Sequence, residues 1–158
     1  MHLADAPDVF GYTLFCDDIR AEIDGKFSFI GTYPAGMSTN APFPLTLPKF
    51  AFSINFFQKR GAFVADLGLR ILLPGDPEDA PSIQSDLSES ARQAEAAAFA
   101  RQTREAAQGQ EPYIILRANL IFAPLTIPTP GDMRVRIVRG NDIFRMGSIE
   151  ILAGPPSV

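Results

Sequence analysis

The chain has one cysteine, one histidine and no tryptophan among its 158 residues. A single cysteine, Cys16, cannot close an internal disulfide, and its place inside an apolar stretch indicates a packing residue. With His2 as the only histidine, the chain cannot assemble a Cys/His zinc cluster or a Ser-His-Asp triad from its own residues. We therefore expect no catalytic residue, no metal ion and no other cofactor.

Long apolar runs and an excess of positive charge are also absent. No stretch of about 18 consecutive apolar residues occurs, so we expect no membrane partner. The first ten residues carry Asp5 and Asp8 and lack a basic segment, which argues against a secretory signal and favours the cytoplasm. The formal net charge of −4 argues against nucleic acid as a partner. The length fits a single domain over residues 1–158.

What the sequence does contain is apolar residues that alternate with polar ones at the period of a β-strand. The stretch 10–33 predicts one long hairpin, and a three-residue loop at 23–25 sets Ile19 beside Phe29. This register places Asp17 on the apolar face. A buried carboxylate needs a partner, and the candidates are a backbone N–H, the hydroxyls of Thr32 and Tyr33, and the guanidinium groups of Arg70 and Arg117.

Two further hairpins are predicted. Residues 50–56 and 63–73 alternate so that Phe56 lies opposite Phe63, which unites the apolar residues of both arms on one side. The last hairpin turns at 139–142, and a change of parity after it predicts a bulge at Gly147 and Ser148.

One helix is predicted, over about residues 86–108, with Gly109 as its stop. Its alanine-rich face buries little, so we expect the insert of about residues 77–110 to lie outside the core. The core strands then occupy about residues 10–73 and 112–152. The fold class is all-β, an antiparallel immunoglobulin-like β-sandwich of about seven strands with one inserted helix, and a closed barrel is the alternative.

Charged residues on the first and last hairpins are the candidate interaction positions. These are Asp17, Asp18, Arg20, Glu22, Arg134, Arg136, Arg139 and Arg145. The first hairpin favours a surface charge ladder over a metal site, because strand geometry spreads its carboxylates apart. In the last hairpin Arg136 lies opposite Arg145. Like charges across a strand pair are unfavourable, so we expect an anion, a carboxylate of the chain or another subunit nearby.

Both ends of the chain resemble a bacterial family of small proteins of unknown function. The resemblance rests on Phe15-Cys16-Asp17-Asp18-Ile19-Arg20, Gly25-Lys26, Gly31-Thr32-Tyr33 and Pro130-Gly131-Asp132-Met133-Arg134-Val135-Arg136. That family is itself uncharacterised, so the resemblance implies no activity and no site residue.

These features favour a non-catalytic binding or assembly module over an enzyme. We expect a homo-oligomer, most simply a dimer, in which the last hairpin and the apolar residues Phe57, Ile115 and Ile121 meet a second copy, and a different protein is also a possible partner. The alternative is a protein that binds or hydrolyses a sugar or phosphate through Asp18, Glu22 and the arginines of the last hairpin.

Overall fold

The computed structural model describes residues 7–105 and 112–154. Those residues form twelve β-strands, the helix α1 (Ser88–Glu105) and two short 3₁₀ turns. The strands are β1 (Val9–Cys16), β2 (Asp18–Ala21), β3 (Phe27–Ile30), β4 (Gly36–Thr39), β5 (Leu45–Leu47), β6 (Phe50–Lys59), β7 (Leu67–Leu72), β8 (Ile83–Asp86), β9 (Tyr113–Phe122), β10 (Leu125–Ile127), β11 (Gly131–Arg139) and β12 (Asp142–Ala153). The chain is therefore mostly β, as the alternating pattern predicts. Among the described residues, no helix combines the length and hydropathy that a membrane span requires.

Two larger sheets share one hydrophobic core. One has the strand order β1-β6-β9, and the other has the order β4-β12-β11-β7-β8, in which β4 and β12 are parallel. Phe52 and Phe56 of the first sheet pack in the same buried cluster as Leu69 and Ile137 of the second. Each such side chain contributes roughly 1.5–3 kcal/mol on full burial, so this cluster holds the two sheets against each other.

The predicted second hairpin is wrong. Strand β6 pairs with β1 and β9, whereas β7 pairs with β11 and β8 in the other sheet. The apolar faces of β6 and β7 are both buried as predicted, but they contribute to the core from different sheets. A period-2 pattern specifies which face of a strand is buried, and it does not specify which strand lies beside it.

The predicted register of the first hairpin is confirmed. Ile19 pairs with Phe29 between β2 and β3, and the N–H of Glu22 donates to the carbonyl of Lys26 at 2.8 Å. The loop between them has a positive φ at Asp24 (+65°) as well as at Gly25 (+70°), so its conformation differs from the predicted turn.

The long first arm is interrupted at Asp17. Strand β1 ends at Cys16 and pairs with β6, and the N–H of Asp17 instead donates to the carbonyls of Ile30 (2.9 Å) and Gly31 (3.2 Å). Cys16 is fully buried, which confirms its predicted packing role. Gly31 has φ +65°, and a Cβ there would lie 2.0 Å from Asp17 Oδ2, so this break requires glycine.

The last hairpin follows the predicted register up to its bulge. Ile137 pairs with Phe144 as expected. The register shifts after the next pair, Arg136 with Arg145, because Val135 pairs with Gly147 and leaves Met146 as the extra residue of β12. The bulge therefore begins one residue earlier than predicted. The isoleucines of β12 that follow it point into the core, as the change of parity requires.

The expectation that the insert lies outside the core is wrong for its first part. Ile83–Asp86 form β8 at the edge of the five-stranded sheet, and Leu87 and Ala91 are buried in the core cluster. The N–H of Leu87 donates to the carbonyl of Leu67 at 2.8 Å, which places its side chain over β7. The helix begins two residues later than predicted, and its predicted end and stop lie outside the described residues.

Candidate functional site

The predicted interaction residues fall into two groups on opposite sides of the molecule. Asp17 and the β2–β3 hairpin lie outside the three-stranded sheet, where Ile19 packs against Ala51 of β6. The arginines of β11 and β12 lie on the five-stranded sheet. A ligand site that joins Asp18 and Glu22 to these arginines is therefore not formed, because the core separates the two groups.

Asp17 is exposed, which contradicts its predicted burial. The strand break at this residue interrupts the alternation from which burial was predicted. Its predicted partner is correct, because the Tyr33 hydroxyl donates a hydrogen bond to Asp17 Oδ1. Burial of the phenol, reinforced by this carboxylate, raises the pKa of Tyr33 to about 12.

Asp18 anchors the surface charge ladder that the sequence predicts. Its Oδ1 lies 3.1 Å from Lys49 Nζ and accepts the N–H of Ile19 at 3.0 Å, and its Oδ2 lies 3.5 Å from Arg20 Nε. The hydrogen bond from Lys49 is the main reason that the pKa of this carboxyl group is lowered. Glu22 is exposed and joins no ion pair within the described residues. Among residues 7–105 and 112–154, no three His, Cys, Asp or Glu side chains are grouped closely enough to hold a metal ion.

Three arginines form a row across the outer face of the five-stranded sheet. Arg136 of β11 lies directly opposite Arg145 of β12, as predicted, and directly opposite Arg70 of β7. We call Arg70, Arg136 and Arg145 the arginine row. Arg134 lies on the same face, two residues along β11. Arg139 belongs to the inner face, and its guanidinium carbon lies 5.8 Å from the ring centroid of Phe144.

A carboxylate of the chain itself neutralises part of this cluster, which confirms one of the predicted possibilities. Glu78 Oε1 accepts hydrogen bonds from Arg134 Nη1 at 2.8 Å and from Arg136 Nη2 at 2.9 Å. The hydrogen bond from Arg136 is the largest cause of the lowered pKa of Glu78. No sequence pattern marks Glu78, because its position depends on how the loop between β7 and β8 folds over β11.

That loop is held in place by Asp76. Its carboxylate accepts the N–H groups of Leu73 (2.8 Å) and Ser82 (2.7 Å) and the hydroxyl of Ser82 (2.9 Å). Burial alone would raise the pKa of Asp76, but the hydrogen bonds from Ser82 and Leu73 outweigh it and the pKa is lowered. Arg134 Nη2 donates to the backbone carbonyl of Asp76 at 2.6 Å. The loop thus delivers Glu78 to the arginines in a defined position.

The outer face of the three-stranded sheet is unusually apolar. Its exposed members, with 36–47% of their surface accessible, are Phe10, Tyr12, Leu14, Ile115 and Ile121. The half-buried Phe57 stacks on Phe10, with ring centroids 4.6 Å apart. We call this surface the apolar face. The sequence predicts exposed positions for Ile115 and Ile121, and the structure confirms them. The sequence does not predict that apolar residues of β1 are exposed, because the strands beside β1 are predicted incorrectly.

A polar centre interrupts the apolar face. Ser53 and Asn55 of β6 are buried although they point away from the core, because neighbouring strands cover them on both sides. Asn55 Oδ1 accepts a hydrogen bond from Arg117 Nε at 2.8 Å. Asn119 Oδ1 is buried and has no hydrogen-bond partner within the described residues. This centre fixes the strand order of the sheet and offers one cation, Arg117, to the surface.

The apolar face and the arginine row lie on the outer sides of opposite sheets. The expectation that one two-fold contact covers both is therefore wrong. The error follows from the predicted pairing of β6 with β7, which put these two strands in one sheet although they belong to opposite sheets.

The molecule thus carries two separate candidate surfaces, one apolar and one cationic, and each is built from three adjacent strands. Comparison with known proteins adds no assignment to either surface. None of the family models, curated proteins or solved structures compared with the chain matches it.

Proposed function

We propose that this protein is a non-catalytic binding and assembly module that forms a homodimer through its apolar face. The observation that carries the proposal is the exposure of five large apolar residues on β1 and β9, the strands that flank β6 and its half-buried Phe57. Contiguous exposed apolar surface on a folded protein marks an interaction site, because scattered single residues do not need cover but a patch does.

A second copy is the partner that we propose, and a different protein is the alternative outcome of the test. A two-fold contact repeats the same patch on both subunits, so a face with a single cation, Arg117, needs no separately evolved complement. The face is about 15 Å wide and 25 Å long, from strand spacing and rise. The area of this face is less than the roughly 800 Å² that each partner buries in a stable interface. We therefore include the bordering β2–β3 hairpin in the contact.

The proposal that the protein is non-catalytic rests on the contacts that its Asp17 and Asp18 carboxylates make. Asp17 is bound by the Tyr33 hydroxyl and Asp18 by Lys49 and Arg20, all at the surface. General acid–base chemistry requires a carboxylate placed beside a substrate site, and both of these are engaged by neighbouring side chains.

Three finer expectations belong with the proposal. An immunoglobulin-like strand arrangement is supported by two sheets that share one core. Membership of the bacterial family of unknown function is supported by the two sequence segments that resemble it. A cytoplasmic location is supported by the finding that no helix of the described residues could span a membrane.

Molar mass by light scattering tests the dimer. We expect the wild type to have twice the 17.2 kDa of one chain, and Ile115→Glu to return it to 17.2 kDa, because a buried charge in the interface is unfavourable. Ile143→Glu is the matched control, since Ile143 is 53% exposed on the opposite sheet.

A wild type of 17.2 kDa up to high micromolar concentration would contradict self-association. The partner of the apolar face would then be a different protein. Dissociation by Ile143→Glu alone would instead place the contact on the five-stranded sheet.

A further inference from the structure

We propose that the arginine row is a binding site for a phosphate dianion, either free or as the phosphoryl group of a small phosphomonoester. The row is fixed by strand register, since Arg70 and Arg145 each lie directly opposite Arg136. Side chains directly opposite in a sheet have Cβ atoms about 5 Å apart. The Cβ atoms of three arginines are therefore held along roughly 10 Å of one surface, and the like charges of these side chains cost free energy unless an anion lies near them.

The carboxylates of the chain offset this charge only in part. Glu78 is bonded to Arg134 and Arg136 and is half-exposed. The Asp76 carboxylate lies near Arg134 but is engaged with Leu73 and Ser82. Within the described residues, the side chains of Arg70 and Arg145 have no hydrogen bond and no ion pair, although Arg145 lies near enough to Glu78 to help lower its pKa. Four arginines thus face two carboxylates.

Other acidic groups lie around the row without joining it. Asp66 and Asp86 line an open depression of about 450 Å³ beside Arg70, and neither forms an ion pair with it. Asp132 of β11 lies opposite Glu150 of β12, beyond Arg134. Neither residue forms an ion pair with an arginine of the described residues. They weaken the local positive potential at its edges and leave its centre, between Arg136 and Arg145, unchanged.

The excess positive charge of the arginine row favours phosphate as the ligand. Two guanidinium groups that are not bonded to a carboxylate, those of Arg70 and Arg145, match a phosphate group, which carries about −1.5 to −2 at neutral pH, better than a singly charged carboxylate. Guanidinium also binds phosphate oxygens through two parallel hydrogen bonds. Arg136 is nine-tenths buried and its orientation is set by Glu78 and by the carbonyl of Val135 at 3.0 Å. It forms a preorganised centre, and Arg70 and Arg145 close on the ligand from either side.

Titration calorimetry with inorganic phosphate at constant ionic strength tests the site. We expect binding by the wild type and at least about tenfold weaker binding by Arg145→Gln and by Arg70→Gln, because each removes a charged hydrogen-bond donor. Arg92→Gln is the matched control, since Arg92 is an exposed arginine on α1 that forms an ion pair with Glu89, away from the arginine row. It should bind phosphate as the wild type does.

Two further measurements keep the test independent of folding. Phosphate should shift the backbone amide resonances of β7, β11 and β12 and leave those of β1, β6 and β9 in place. Phenyl phosphate in a parallel titration distinguishes the sources, because tighter binding than inorganic phosphate indicates an organic phosphomonoester and equal binding indicates the phosphate group alone. Absence of binding, or equal binding by Arg145→Gln and Arg92→Gln, would overturn the proposal.

Discussion

Asp17 and Tyr33 show how an exposed carboxylate changes the chemistry of the side chain beside it. Burial raises the pKa of the Tyr33 phenol to about 12, and the hydrogen bond to Asp17 adds to that effect. We expect Asp17→Asn to lower the Tyr33 pKa towards the ordinary value of 10.0, because the neutral amide no longer disfavours the phenolate. The phenolate absorbance of the protein, titrated from neutral to strongly alkaline pH, measures this change.

Two variants identify the titrating group. Tyr33→Phe should remove the most alkaline of the tyrosine transitions, and Asp18→Asn should leave it in place because Asp18 does not contact the phenol. An unchanged alkaline transition in Asp17→Asn would contradict the assigned role of the carboxylate.

The same pair makes stability depend on alkaline pH. The folded-state pKa of Tyr33 lies above its unfolded value, so the folded state holds the phenol proton more tightly. The stabilisation from Tyr33 is complete below about pH 10 and is lost as the pH rises through about 12. Urea denaturation midpoints should therefore fall more steeply above pH 10 for the wild type than for Tyr33→Phe. Parallel pH profiles of the two proteins would contradict this linkage.

At the scale of elements, α1 divides into a part that belongs to the core and a part that does not. Leu87, just before the helix, is 7% exposed within the core cluster, whereas Phe99 is 54% exposed and contacts Arg60. We expect Leu87→Ala to lower the free energy of unfolding by about 2–5 kcal/mol. The matched change Phe99→Ala should cost less than about 1 kcal/mol, since it removes an exposed contact. Chemical denaturation of both variants decides this.

The reverse order of stabilities would show that the helix packs through its later turns. Replacement of residues 77–110 by a Gly/Ser linker is expected to destabilise the fold. It would remove Leu87, the edge strand β8 and Glu78 together.

The elements that could be predicted from the sequence are those whose information is local. The pairs Ile19 with Phe29 and Ile137 with Phe144 are separated by short loops, so loop length and alternation together determine their register. The partners of β6 are far away in sequence, and many strands with a suitable apolar face compete for them. In the candidate site, the contact of Glu78 with Arg136 could not be predicted for the same reason, since only the fold of its loop brings Glu78 to Arg136.

At the scale of the whole molecule, one core supports two outer faces of different chemistry. The three-stranded sheet presents the apolar face, and the five-stranded sheet presents the arginine row. The crossing between β6 and β7 separates them, because it takes the chain from the three-stranded sheet to the five-stranded sheet. Nothing in the contacts of either face involves the other, so association and anion binding should be independent.

This independence gives a prediction for the intact protein. Ile115→Glu should abolish the dimer and leave phosphate affinity unchanged, whereas Arg145→Gln should weaken phosphate binding and leave the dimer intact. Raising the salt concentration should also distinguish dimer formation from phosphate binding. Screening weakens the exposed ionic contacts that Arg145 and Arg70 make with phosphate, whereas the burial of Phe10 and Ile115 does not depend on charge. Light scattering and phosphate titration of each variant, at low and high salt, measure both properties. Loss of both by one substitution would mean that the arginines belong to the interface between subunits.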